Sequence, residues 1–196
     1  MGISEVRSVA CRVPRWLWVI LVAGIFPRLL ITPGTVPVLW PDSLTYLKSA
    51  TAMVEDGNYW MHEVYRTPMY PLYLSFFLRT FGFEPLAGEM IVAGQRVMGV
   101  LSGVLLFLVL RRGFSERVAL TSSVIFLWSS LQFFYETSIL TETQFIFLLF
   151  LFFWISGRVF DEASLGKLAW WSSPLLGGFA ALLSLSRPIG QLLLLL

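Results

Sequence analysis

The feature that most constrains this chain is a series of long apolar runs separated by short charged turns. Five of the runs reach or approach the length of about 20 residues that a helix needs to cross the hydrocarbon of a bilayer. They are Trp16–Ile31, Gly88–Leu110, Val118–Phe134, Ile139–Val159 and Leu168–Leu185, and a sixth run, from Pro188, is cut short at Leu196. The sequence therefore predicts an all-α, polytopic transmembrane helical bundle of about five spans plus a truncated sixth, forming a single domain over residues 1–196.

Composition is consistent with lipid as the solvent for this fold. Apolar residues make up 57% of the chain and charged residues 13%, about half the charged share of a typical soluble domain. A net charge of +2 gives no support to a nucleic-acid partner. Cys11 is the only cysteine, which excludes an internal disulfide and a multi-cysteine metal site. Arginines precede the first run and no small-residue cleavage signal follows it, so we expect a retained signal-anchor.

The charged turns predict the orientation in the membrane. The N-terminus and the turns at residues 111–117 and 158–167 together hold eight of the 14 Lys and Arg residues but only four acids. Short loops rich in Lys and Arg lie in the cytoplasm. We therefore expect a multi-pass protein of the plasma (inner) membrane with a cytoplasmic N-terminus. Residues 32–87, the third-to-fourth turn and Arg187 would then be extracytoplasmic.

The connection over residues 32–87 is too long for a simple loop. Pro41, Asp42 and Ser43 open a helical pattern that Gly57 can end, and two prolines precede a second pattern, Leu72–Phe81. Neither segment is long and apolar enough to span. We expect both to be helices that lie in the outer membrane interface, anchored by tryptophan and tyrosine side chains.

Ionisable residues cluster at the helix ends of this predicted outer face. Charges near the hydrocarbon are costly, so they tend to be paired or functional. The residues concerned are Asp42, Glu63, Arg66, Glu136, Glu142 and Arg187. Several of them on one face make a polar site more plausible than any one of them does.

The two acids of greatest interest each have a structural and a functional interpretation. Asp42 fits a helix N-cap, but an ionised carboxylate facing a dry pocket can also act as a general base. Glu142 opens the fourth span, where the helix dipole favours an acid, yet it also enters an otherwise apolar helix. On local sequence the cap is favoured for Asp42, and the two readings of Glu142 are balanced.

The basic residues carry a similar pair of interpretations. Arg66 and Arg187 can snorkel toward phospholipid headgroups, or they can grip the phosphate of a lipid-linked substrate. His62 and Glu63 could contribute to a divalent-metal site, although one histidine beside one acid is a weak ligand pattern. The sequence therefore leaves a metal cofactor open and does not require one.

The order of short motifs resembles the membrane glycosyltransferases of the GT-C superfamily. The nearest branch contains the bacterial relatives of protein O-mannosyltransferases and of the aminoarabinose transferases that modify lipid A, and the likeness is to their N-terminal part. The motifs are Asp42 with Tyr46, Arg66-Thr67-Pro68-Met69-Tyr70-Pro71-Leu72, Phe81-Gly82, Arg111-Arg112-Gly113-Phe114, Leu140-Thr141-Glu142-Thr143 and Ser186-Arg187-Pro188.

The resemblance implies transfer of a sugar from a polyprenyl-phosphate carrier to a lipid, glycan or protein acceptor outside the cytoplasm, with membrane lipids as further partners. It assigns Asp42 as the catalytic base and Glu142 as a second catalytic carboxylate. It assigns Tyr46, Arg66 and Arg187 to the substrate, the arginines to the carrier phosphate. Metal-using relatives carry a glutamate directly before the basic residue, where this chain has Tyr65.

Two other interpretations of the chain remain. A truncated or degenerate scaffold or lipid-binding subunit would keep the fold without turnover. A transporter is less favoured, because we see no broken helices at matching positions of two halves. Loss of transfer in Asp42→Asn would separate an enzyme from a scaffold.

Overall fold

The computed structural model describes residues 14–31, 37–57, 66–83, 85–166 and 170–195. Over these ranges the chain is helical, and its extended backbone amounts to an isolated parallel bridge between Val38 and Ser138. The helices are α1 Arg15–Ile31, α2 Pro41–Glu55, α3 Met69–Phe81, α4 Pro85–Leu110, α5 Glu116–Leu127, α6 Ser130–Thr137, α7 Glu142–Ser164, α8 Ser172–Ser186 and a 3-10 helix, Pro188–Leu195. The all-α prediction is therefore confirmed for the described part of the chain.

Two of the described helices are long and apolar enough to cross a membrane, namely α4 with 26 residues and α7 with 23. The α5–α6 pair becomes a third candidate if its two bent halves count as one span. With 17 and 15 residues, α1 and α8 are shorter. The count of five spans therefore stays a prediction, and so does the placement of α2 and α3 in the interface.

The structure corrects two predicted helices. The third run was expected as one helix, Val118–Phe134, but α5 and α6 meet at a bend of 50°. The bend falls at Ser129 and Ser130, and paired serines commonly mark helix bends. The final run forms a 3-10 helix and not the start of an α-helical span. Here Arg187 is extended, at φ −149° and ψ 143°, because a residue before proline avoids the α conformation.

The longest helix, α4, is the centre of the packing and contacts α1, α3, α5, α6 and α7. One buried apolar cluster joins α4 to α2 and α3 through Tyr46, Ala50, Tyr70, Leu74, Leu78, Ala87, Ile91 and Ile139. Another joins α4 to α1 and α5 through Ile20, Phe107, Ala119 and Leu127. The first cluster supports the helices that carry the candidate site.

Close approach of α5 and α6 to α4 depends on two glycines. A Cβ atom at Gly103 would lie 2.7 Å from side-chain atoms of Leu127. At Gly99 a Cβ atom would lie 1.8 Å from Glu136 Oε1. Small residues at helix contacts let membrane helices pack closely, and these two positions have no room for a larger one.

A buried ion pair connects α1 to α6. Arg28 Nε donates a 2.8 Å hydrogen bond to Glu136 Oε2, and Gln132 Nε2 donates a 2.9 Å bond to Glu136 Oε1. The Arg28 and Glu136 side chains are 5% and 1% exposed. Glu136, one of the charges at the predicted outer face, is thus matched by a cation in the interior of the bundle.

Candidate active site

The two segments that lead into α2 and α7 run side by side in the same direction. Val38 N–H donates to the Thr137 carbonyl at 2.9 Å, and Ile139 N–H donates to the Val38 carbonyl at 3.1 Å. Asp42 follows Val38 by four residues, and Glu142 follows Ser138 by four residues. The bridge therefore brings the starts of two helices together, although their acids are 100 residues apart in the chain.

Asp42 lies in the first turn of α2 but is not its N-cap. That position belongs to Trp40, whose N–H donates a 2.9 Å hydrogen bond to Ser43 Oγ. The expected capping role of Asp42 is therefore wrong, because Pro41 separates it from the cap. Its carboxylate instead accepts a 2.6 Å hydrogen bond from Arg66 Nη2. With 56% of its side chain exposed, Asp42 remains accessible.

Arg66 is held between this carboxylate and an aromatic ring. Its guanidinium carbon lies 5.2 Å from the ring centroid of Tyr46. Tyr46 is buried, and its ring packs edge-on against that of Tyr70 at 5.3 Å. The hydrogen bond with Asp42 raises the pKa of Arg66 above its ordinary value. Tyr46 therefore forms a platform under a fixed cation.

Glu142 and Arg187 form a second carboxylate–arginine pair. Glu142 is the first residue of α7, after the N-cap Thr141, as expected for a first-turn acid. Its Oε1 atom lies 3.3 Å from Arg187 Nη2, with side-chain exposures of 18% for Glu142 and 40% for Arg187. The Arg187 guanidinium carbon also lies 5.9 Å from the ring centroid of Phe145.

A further hydrogen bond joins the segments that carry the two pairs. Thr67 Oγ1 donates to the Ser186 carbonyl at 2.8 Å. Thr67 is the neighbour of Arg66 and Ser186 is the neighbour of Arg187. The two arginines that the sequence singled out therefore lie on adjoining backbone segments. Each of them forms an ion pair with a carboxylate.

Several polar atoms in this region are buried and lack a hydrogen-bond partner among the described residues. They are Arg66 Nε, Glu142 Oε2 and Ser186 Oγ. Leaving a buried polar atom unsatisfied costs about 1–3 kcal/mol. A donor on a cation, a carboxylate acceptor and a hydroxyl are groups that a ligand with both phosphate and hydroxyl groups can satisfy.

The proposed metal ligands cannot be placed. His62 and Glu63 lie outside the described residues. Within the described ranges no group of three or more His, Cys, Asp or Glu side chains is arranged to hold a metal ion. The structure thus leaves the metal question as the sequence did.

Sequence reasoning missed Gln95, which is fully buried in the middle of α4. Its Oε1 atom accepts a 2.6 Å hydrogen bond from Tyr70 Oη, and its Nε2 atom donates to the Ser138 carbonyl at 2.8 Å. An amide inside an otherwise apolar run was a visible signal. Its partners, however, come from segments 25 and 43 residues away.

The apolar helices and the paired carboxylates and arginines at their ends define a helical membrane protein with a polar site. A sequence profile of the dolichyl-phosphate-mannose-protein mannosyltransferase family matches residues 65–195, about two thirds of the chain. The chain belongs to this family. It is a membrane glycosyltransferase of the GT-C type, which confirms the resemblance drawn from the motifs. No curated protein sequence and no solved structure gives a match to the chain.

The matched region contains three of the five candidate site residues, Arg66, Glu142 and Arg187. Asp42 and Tyr46 precede it. They are connected to it by contact, since both pack against Arg66.

Proposed function

We propose that the chain transfers a sugar from a polyprenyl-phosphate carrier to a hydroxyl group of an extracytoplasmic acceptor. The observation that carries the proposal is the junction of two carboxylate–arginine pairs through the Thr67–Ser186 hydrogen bond. Glycosyl transfer from a phosphate needs a base at the acceptor and cations at the leaving group. This site contains both kinds of group on adjoining segments.

Arg66 and Arg187 are suited to the donor phosphate. A guanidinium presents a planar fork of donors that matches phosphate oxygens, and Arg66 Nε has no hydrogen-bond partner among the described residues. When the bond between the sugar and the phosphate breaks, the departing polyprenyl phosphate gains a negative charge. Two nearby cations stabilise that charge as it develops.

Asp42 is suited to the acceptor. Its carboxylate is the more exposed of the two acids, at 56% against 18% for Glu142. In the proposed step Arg66 exchanges Asp42 for the donor phosphate, and the released carboxylate removes the proton from the acceptor hydroxyl. The hydroxyl oxygen then forms a bond to the anomeric carbon as the carrier phosphate leaves. Glu142 orients Arg187 and supplies the second negative charge of the site.

The test is sugar transfer by the purified protein in lipid nanodiscs. The first donor to try is a polyprenyl-phosphate mannose, following the description of the family. We expect Asp42→Asn to reduce the transfer rate by at least about 100-fold, the usual contribution of a general base. The protein should remain folded, because Asp42 neither caps its helix nor lies in the core.

The chain contains a matched control. Asp161 pairs with Arg112, with side-chain exposures of 66% and 26% that resemble those of Asp42 and Arg66. Asp161 lies 19 residues after Glu142 on α7, so the two are separated by about 28 Å along the helix. Asp161→Asn should leave transfer unchanged. Wild-type transfer by Asp42→Asn would remove Asp42 from catalysis.

The arginines have a matched comparison of the same kind. Arg66→Ala should weaken donor binding, and Arg112→Ala should not, because the Arg112 pair lies at the opposite end of α7. If the wild-type protein binds the donor and never transfers the sugar, the scaffold interpretation replaces the enzyme.

A further inference from the structure

Gln95 is the point where three segments of the candidate site meet. Its carbonyl oxygen accepts the hydroxyl proton of Tyr70 at 2.6 Å. Its amide nitrogen donates to the carbonyl oxygens of Glu136 at 2.9 Å and Ser138 at 2.8 Å, and more weakly to that of Tyr135 at 3.5 Å. The side chain is 0% exposed. It therefore connects α3, α4 and the turn before α7 without contact with solvent.

Two of these segments, α3 and the turn before α7, lie next to site residues. Tyr70 follows Arg66 by four residues, just inside α3. Ser138 precedes Glu142 by four residues, and its bridge partner Val38 precedes Asp42 by the same number. The relative positions of the two carboxylates and of Arg66 are thus linked to one side chain on the longest helix.

We propose that Gln95 is a positioning residue, which fixes Asp42, Glu142 and Arg66 relative to one another for sugar transfer. This inference rests on the proposed function of the site. An amide is needed because one end must accept from a hydroxyl while the other donates to two carbonyls. Glutamine supplies both ends, whereas leucine supplies neither. Asparagine is one methylene too short to reach the partners on both sides at once.

The hydroxyl of Tyr70 is a dependable donor in this arrangement. Burial raises the pKa of Tyr70 well above its ordinary value, and the negative charge of Glu142 adds to the shift. Tyr70 therefore keeps its proton over the pH range of an activity assay, and Gln95 Oε1 remains its acceptor.

Gln95→Leu is the principal test, because leucine fills the space and removes every one of these hydrogen bonds. The first measurement is hydrogen exchange at the amides of Val38 and Ile139, which form the bridge between the site segments. Gln95→Leu removes the hydrogen bonds to the carbonyls of Glu136 and Ser138, which adjoin the bridge. The exchange of the two bridge amides should therefore accelerate by about tenfold or more. Ser102→Ala is the control, since among the described residues that buried hydroxyl bonds within α4, to the Met98 carbonyl at 2.7 Å. In this variant the exchange of both amides should match that of the wild type.

The second measurement separates donor binding from transfer in the same variant. Because both donor-binding arginines are retained, the dissociation constant of a polyprenyl-phosphate sugar should stay within about threefold of the wild-type value. The transfer rate of the donor-bound protein should fall by about tenfold or more, since misplacement by 1 Å is enough for such a loss. A misfolded variant would instead lose binding.

Two further variants keep the test decisive if leucine disturbs folding. Tyr70→Phe removes only the hydrogen bond to Gln95 Oε1, and Gln95→Asn shortens the side chain. Each should give a smaller loss of transfer. Tyr70→Phe combined with Gln95→Leu should be no worse than Gln95→Leu alone, because the two residues act through one contact.

The outcomes separate this inference from the proposed function. Unchanged exchange at Val38 and Ile139 would overturn the role of Gln95 in holding the segments. Faster exchange with wild-type transfer would overturn its role in positioning for catalysis. If wild-type protein transfers no sugar, the proposed function fails, while faster exchange in Gln95→Leu would still establish the connection between the segments.

Discussion

Replacement of Glu136 by glutamine tests how strongly the interior of the bundle depends on its buried ion pair. Glu136 is 1% exposed and accepts hydrogen bonds from Arg28 Nε, Arg28 Nη2 and Gln132 Nε2. Glutamine has nearly the same shape but no charge. One of its two terminal atoms becomes an NH₂ group, which must face a donor of Arg28 or Gln132. The variant therefore leaves the Arg28 cation buried without its carboxylate.

The magnitude follows from the burial of both partners. Removing one partner of a buried ion pair costs about 3–5 kcal/mol. For a chain of this length each kcal/mol corresponds to about 2–4 °C in melting temperature, so we expect a loss of about 6–20 °C. Replacing both partners by apolar residues, as in Arg28→Met with Glu136→Leu, should cost less than Glu136→Gln alone, because neither charge of the pair then remains in the interior.

The measurement is unfolding in detergent, by heating or by titration with a denaturing detergent. Asp161→Asn is the control, since its pair with Arg112 is exposed and should contribute at most about 1 kcal/mol. Two results would refute the reasoning. One is a loss in Glu136→Gln no larger than in Asp161→Asn, and the other is a double variant that costs the sum of its single changes.

Three further predictions concern packing, topology and pH. Gly99→Ala should lower the free energy of unfolding by about 1–3 kcal/mol or more, because its Cβ atom would lie 1.8 Å from Glu136 Oε1. Gly113→Ala is the control in the same melting assay and should be neutral, because a Cβ atom there meets nothing within 4 Å. In a cysteine-free background, single cysteines at Asp56 and Gly113 should react with an impermeant thiol reagent from opposite sides of the membrane, and labelling of both from one side would contradict the orientation. Since the pKa of Tyr70 is raised from 10.0 on folding, the unfolded chain loses this proton first, and stability should fall as pH rises above 10. Tyr70→Phe should make the loss of unfolding free energy smaller by about 1.4 kcal/mol per pH unit. An unchanged dependence of stability on pH would exclude the raised pKa of Tyr70.

The sequence by itself determined most of the helices and the residue types of the candidate site. Apolar runs and proline or glycine boundaries are local signals, and they placed α2, α4 and α7 to within a few residues of where the structure has them. The motifs also predicted the family, which the profile match confirms. Charged residues next to hydrocarbon are costly enough to stand out in any apolar sequence, so Asp42, Arg66 and Glu142 were identifiable before any fold was known.

Local signals failed where a neighbour distant in the chain decided the outcome. The capping pattern at Asp42 looked complete. However, Ser43 Oγ accepts the hydrogen bond from the backbone N–H of Trp40, and Asp42 forms an ion pair with Arg66. The bend between α5 and α6 breaks a run whose composition is continuous. Glu136 was grouped with the charges of the outer face, and only the packing of α1 against the rest of the bundle gives it Arg28 as a partner.

The arrangement of the candidate site was decided by tertiary structure alone. Which arginine faces which carboxylate depends on the Val38–Ser138 bridge and on the bond from Thr67 to Ser186, whose ends are 100 and 119 residues apart. Hydrogen bonds of this range have no periodicity and no preferred spacing in a sequence. They form because buried polar groups must find partners wherever the packing of α4 brings them, and that packing is a property of the whole bundle.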